Sequence, residues 1–203
     1  MKAMRRITWA CVVGLLCIFS IVQLQYACAE VTEAQWEALL KAVGGEDWNQ
    51  GFDLVEKYMK ETKEGDVRLP KLRYVLLFTA AGKVSEGKMS YDRLSEITKD
   101  MVGKEIIFPY RQIDTDPKPG DLNFILQPKD ANRDLFVAAT NKAGTTIHDF
   151  EYIKLKDDFK VEGHDGQYAS IFGVIDAIKP NPNKSLAIVL RIYISNGSVK
   201  LKE

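Results

Sequence analysis

Three hydrophobic patterns follow one another along the chain. An unbroken apolar run from Ile7 to about Leu24 comes first. Apolar positions at helical spacing follow up to about residue 102, and alternation with a period of two takes over after Gly103. The first run is preceded by Lys2, Arg5 and Arg6 and ends in Ala27-Cys28-Ala29. A basic start, an apolar stretch and small residues at the last and third-last positions make an export signal, cleaved after Ala29. The expected location is periplasmic or secreted. Ile7–Leu24 is also close to the roughly 17 apolar residues that a spanning helix needs, so an uncleaved inner-membrane anchor is the alternative.

Residues 30–102 predict four helices. Thr32-x-x-Gln35 has the form of a capping box, and Trp36, Leu39, Leu40 and Val43 follow at helical spacing up to Gly44-Gly45. Asp47 is placed to cap a second helix with an apolar stripe of Trp48, Phe52, Val55 and Met59. Pro70 suits the first turn of a third helix, apolar over most of its circumference and therefore central. Ser90 caps a fourth helix carrying Leu94, Ile97 and Met101, and Gly103 ends it. Two antiparallel hairpins are the expected arrangement. In outline this resembles stacked repeats of the tetratricopeptide type, but no second copy of that repeat's pattern is present.

Residues 103–203 predict five strands: within 104–113, around Leu122–Leu126, Leu135–Ala139, Tyr168–Ile178 with a bulge at Gly173, and Leu186–Ile194. Asp114–Gly120 is a turn, and Thr145 to about Asp158 mixes both periods, as a short helix or an irregular segment would. Strand order and the stretch Ile171-Phe172-Gly173-Val174-Ile175 resemble the OB-fold over roughly residues 103–196. The resemblance implies a small barrel that binds along a strand face flanked by loops. The fold class is therefore α+β, N-terminal antiparallel helical hairpins followed by a five-stranded OB-like barrel. The divisions are 1–29, 30–102 and 103–203.

Composition narrows the chemistry. The three cysteines, Cys11, Cys17 and Cys28, all precede the cleavage position, so the exported chain has no thiol for a disulfide, a thiolate metal site or thiol catalysis. Acylation of Cys28 is a further alternative, although Gln25 and Tyr26 are poor lipobox residues. The 174 residues from Glu30 onwards can bury a core without disulfides. The whole chain has 28 basic and 28 acidic residues, and residues 30–203 have 25 and 28, a net of −3. That balance weighs against a nucleic-acid or anionic-membrane binder.

No complete catalytic motif is present. His148-Asp149 and His164-Asp165 contain metal-binding groups, but neighbours on a strand point to opposite faces and Glu162–Gly166 reads as a turn. Gly82-Lys-Val-Ser-Glu-Gly87-Lys88 has phosphate-loop spacing, with Met89 where Ser or Thr belongs and a helix, not a strand, before it. It reads as a connector between the third and fourth helices. Asn183-Lys184-Ser185 and Asn196-Gly197-Ser198 match the glycosylation sequon, which carries weight only in a eukaryotic secretory pathway. Tyr110, Arg111, Arg191 and Tyr193 fall on predicted strands as a candidate ligand groove. The functional expectation is an exported binding protein without cofactor or metal, acting on an envelope protein or polysaccharide. An envelope hydrolase using carboxylates and a histidine, and an OB-type nucleic-acid binder, are the alternatives.

Overall fold

The computed structural model describes residues 31–116, 124–126, 134–144, 146–181 and 188–203. The expected export signal, most of the expected Asp114–Gly120 turn and the Asn183 sequon lie outside the described residues.

Among the described residues, four α-helices precede the sheet: α1 (Glu33–Gly44), α2 (Trp48–Glu61), α3 (Leu69–Ser85) and α4 (Tyr91–Thr98), the last extended by a 3-10 turn at Lys99–Met101. Their starts follow the sequence signals. Thr32 Oγ1 accepts from the Gln35 amide while Gln35 Oε1 accepts from the Thr32 amide, so the capping box closes in both directions. Asp47 and Ser90 cap α2 and α4 through the amides of Gln50 and Arg93. Helix α3 starts with Leu69-Pro70 and is buried continuously from Leu72 to Gly82. Every face of that stretch is covered, as its mostly apolar composition requires.

Helix α3 runs further than its sequence suggests. Gly82 is inside the helix, and a Cβ there would lie 2.4 Å from Trp48 Cδ2. The glycine lets α2 and α3 approach, with the Trp48 indole lying directly over its Cα. The connector is therefore shorter than residues 82–88, and Gly82 holds an indole, which leaves it no role in cradling a phosphate.

Among the described residues, seven strands form one curled mixed sheet, a half-barrel in outline: β1 (Glu105–Ile107), β2 (Arg111–Ile113), β3 (Phe124–Leu126), β4 (Leu135–Thr140), β5 (Thr146–Leu155), β6 (Tyr168–Pro180) and β7 (Leu190–Leu201). The order is β1-β6-β2-β3-β4-β5-β7, with β6 also paired to β7. The β2–β3 and β5–β7 pairs are parallel and the others antiparallel.

Three expectations change here. The strand within 104–113 divides into β1 and β2, both antiparallel to β6, around Phe108-Pro109-Tyr110, where Pro109 has no N–H to give a ladder. The ambiguous stretch after Thr145 is a strand, β5, so five strands become seven, in six rows if β1 and β2 count as one. The last strand starts at Leu190 and continues to Leu201, past Ile194. Gly173 sits where the β6–β7 register shifts, and a Cβ there would lie 2.3 Å from Ile194 Cγ2. The close approach of the two strands fits the bulge expected from the sequence.

One apolar cluster runs through both parts, from Leu39, Phe52 and Leu77 on the helices to Ile106, Ile171 and Ile192 on the sheet. Arg73, buried on α3, donates from Nη1 to the Glu105 carbonyl (2.8 Å) and from Nη2 to Glu64 Oε1 (3.0 Å). This ties α3 to β1 with a satisfied guanidinium, the only form in which a cation is cheaply buried. Among the described residues, no helix is long and apolar enough to cross a membrane.

Candidate functional site

A cleft of about 360 Å³ lies where α1 and α3 meet the β1–β2 segment. Trp36, Leu40 and Val43 of α1 form one wall, and Tyr74, Val75 and Phe78 of α3 form another. Ile107 to Arg111 and Ser170 supply the sheet side. The apolar stripe of α1 explains the opening. Leu39 and Ala42 face the core and are fully covered. Trp36 and Val43 are half-buried, and Leu40 is 47% exposed. The stripe is wider than the core it packs against, and the excess lines the cleft.

Two of the four residues singled out from the sequence are here. Tyr110 is 39% exposed beside the β1–β2 break. Arg111 alternates with exposed Gln112 on β2 and so lies on the same side as fully buried Ile113. Its Nη2 donates to Tyr74 Oη (2.9 Å) and its Nη1 to the Tyr110 carbonyl (3.2 Å). Its Nε is buried with no hydrogen-bond partner among the described residues. The Tyr74 ring stacks on Phe78 (centroids 5.9–6.0 Å from both Phe108 and Phe78) and meets Phe108 edge-on. Burial raises the Tyr74 pKa above the ordinary phenol value, and the Arg111 charge and hydrogen bond offset only part of this. The hydroxyl therefore stays protonated and neutral at physiological pH.

Arg191 and Tyr193 lie elsewhere. They share a face of β7, opposite buried Leu190, Ile192 and Ile194. Tyr193 packs on Tyr152 of β5 (centroids 5.8 Å), with Lys179 Nζ 4.8 Å over its ring. Arg111 is in register with Ala169 on β6, whereas Tyr193 is in register with Ala177. Eight residues of strand separate them, roughly 26 Å at about 3.3 Å per residue. The four side chains therefore occupy two places on the sheet.

A larger depression of about 750 Å³ is lined by Glu64, Asp66, Lys71, Arg73, Lys104 and Glu105 among others. Glu64 accepts from both Arg73 and Lys104, which hold its carboxyl below the usual range, the Lys104 hydrogen bond contributing most. Charges that neutralise one another leave this depression with little to offer a ligand.

The chain matches no family model, curated protein or solved structure. The chemistry of the cleft is therefore read from its own residues. Its ionisable side chains are Lys71, Tyr74, Tyr110 and Arg111, with no carboxylate or imidazole among the described lining residues. Ser170 Oγ is committed to the Phe108 carbonyl. Such a set donates hydrogen bonds to a ligand but contains no general base for neutral pH.

His164 is in the turn before β6, its Nδ1 3.2 Å from Gln167 Oε1 and its ring stacked on Phe159. His148 is on β5, opposite Ala139 of β4 and Leu190 of β7. The rows β5 and β6 are separated by β7. The buried polar side chains among the described residues are Arg73, Thr79, Thr98, Ser170 and Asn181, and each bonds to a backbone carbonyl. These groups hold the fold together.

Sequence reasoning missed Tyr74 and read Trp36, Leu40 and Val43 only as part of the first helix's apolar stripe. A legible signal existed for Tyr74. It is the single phenol in a mostly apolar helix, and a buried phenol needs a polar partner.

Proposed function

We propose that the protein is an exported, non-enzymatic binding protein, periplasmic or secreted after cleavage following Ala29, and that the cleft between α1, α3 and β1–β2 is its recognition site. One observation carries the binding reading: a cleft with apolar walls and a few polar groups converging at Arg111 and Tyr74, with no carboxylate among its described lining residues. Small-ligand sites share that composition, mostly apolar with a few placed polar groups. The walls favour an apolar group on an envelope component over a polysaccharide, which would need many more hydroxyl partners.

In this reading the helices form two hairpins and the sheet is OB-like. Connectors of three residues (45–47) and five residues (86–90) join α1 to α2 and α3 to α4, lengths usual for antiparallel neighbours. With β1 and β2 taken as one broken row and β3 as an addition, the remaining rows run β4-β5-β7-β6 and return to β1. That row order supports an OB-like reading of the sheet.

Two measurements test the reading. Fractionation of the full chain from the cells that make it, with N-terminal sequencing, should find it outside the cytoplasm and starting at Glu30. Crosslinking and pull-down of the exported protein should enrich one envelope component, and Leu40→Asp in the cleft wall should remove it. Retention in the cytoplasm would end the export half. Enrichment indifferent to Leu40→Asp would end the cleft half.

A further inference from the structure

We infer that the cleft binds a small amphipathic carboxylate, an aliphatic body against the α1 and α3 walls with its carboxylate on Arg111. This rests on the reading of the cleft as the recognition site and adds the chemical class of its ligand. Charge complementarity is the first ground. Lys71 and Arg111 are the ionised lining groups, no acidic side chain lines the cleft among the described residues, and no carboxylate there pairs with Arg111. Tyr74, its strongest partner, is a neutral phenol.

Donor arithmetic is the second ground. A guanidinium has five N–H groups. Among the described residues, Arg111 uses one on Tyr74 Oη and one on the Tyr110 carbonyl, and Nε is buried and unpaired. A buried donor left without an acceptor costs stability, and a carboxylate is the acceptor whose two oxygens match the guanidinium fork. A carboxylate on the part-exposed guanidinium would neutralise its charge and give its remaining N–H groups acceptors.

Size is the third ground. At about 360 Å³ the cleft is at the small end of ligand sites, a size that suits a medium-chain monocarboxylate.

The test uses the purified full chain and three probes with ten-carbon chains, below their micelle or solubility limits: decanoate, decanol and decyltrimethylammonium. Trp36 in the cleft wall provides the signal, and Trp36→Phe separates it from the buried Trp48. The expected result is a saturable change in Trp36 emission with decanoate, at least about ten-fold weaker binding of decanol, and none of the cation. Arg111→Gln should bring decanoate to the level of decanol, Arg111→Lys should recover part of the difference, and Tyr74→Phe should keep decanoate binding. If Arg111→Gln does not fold, the preference of the wild-type protein for decanoate over decanol decides alone. Equal binding of decanoate and decanol, no saturable binding of decanoate, or a free peptide ending in Leu-Leu binding ten-fold tighter than decanoate would overturn the inference. If it is overturned while Leu40→Asp still abolishes partner capture, the cleft reading stands and only the ligand class falls. Failure of both results removes the site.

Discussion

Gly82 and Trp48 show how a single position can fix the packing of two helices. The indole occupies the space that any Cβ at position 82 would need. Gly82→Ala gains about 1 kcal/mol of helix propensity, but overpacking of this kind costs roughly 1–3 kcal/mol. With an approach as short as 2.4 Å the loss should exceed the gain. Urea denaturation should show a lower midpoint for Gly82→Ala, and an unchanged or higher midpoint would show that Trp48 moves aside freely. Asp165 makes a different kind of single-residue tie. Its Oδ1 accepts from both the amide and the hydroxyl of Thr115 (2.8 Å each), and the backbone hydrogen bond is the main reason its pKa lies below the ordinary 3.8. A depressed carboxylate pKa stabilises the fold above the unfolded value, and the contribution is lost as pH falls through the folded value. Exchange protection of the Thr115 amide should therefore hold at pH 5 and fall only below about pH 3.8, with Asp165→Asn weakening it at pH 5. Protection already lost at pH 5 would contradict the tie.

Helix α1 divides its duties between adjacent residues. Leu39 is fully buried and Leu40 is 47% exposed. Leu39→Ala should cost about 2–5 kcal/mol of stability, as core truncations do, whereas Leu40→Ala should stay within about 0.5 kcal/mol. Leu40→Ala should instead weaken ligand capture. Denaturant titration alongside the binding assay checks both, and a large stability loss from Leu40→Ala would return that residue to the core. The elements most legible in the sequence were those with a local cause. Thr32, Asp47, Ser90 and Pro70 mark helix starts through hydrogen bonds or backbone geometry that depend on a few neighbouring residues. The strand β5 was not legible, because its apolar residues answer to β4 on one edge and β7 on the other, both distant in sequence. The pairing of Arg111 with Tyr74, 37 residues away, was hidden for the same reason. Arg191 and Tyr193 share a strand face, as alternation requires, but alternation cannot give their distance from Arg111.

The whole molecule has one continuous apolar cluster through helices and sheet, clipped by Arg73 between α3 and β1. Such a core should unfold in one step. Trp36 and Trp48 report from the helices, and far-UV circular dichroism reports from every element. In urea the two transitions should coincide, and separated midpoints would mean that helices and sheet are independent units. The cleft lies where these parts meet, which makes its shape depend on the complete fold. Its location at that junction is the central claim, and site-specific photocrosslinking tests it most directly. A photoreactive residue at position 40, in the exported full chain, should label a bound component, and Arg111→Gln should abolish the labelling. The same residue at exposed Lys57 on α2 should label nothing specific. Equal labelling from positions 40 and 57, or labelling from 40 that survives Arg111→Gln, would contradict the account.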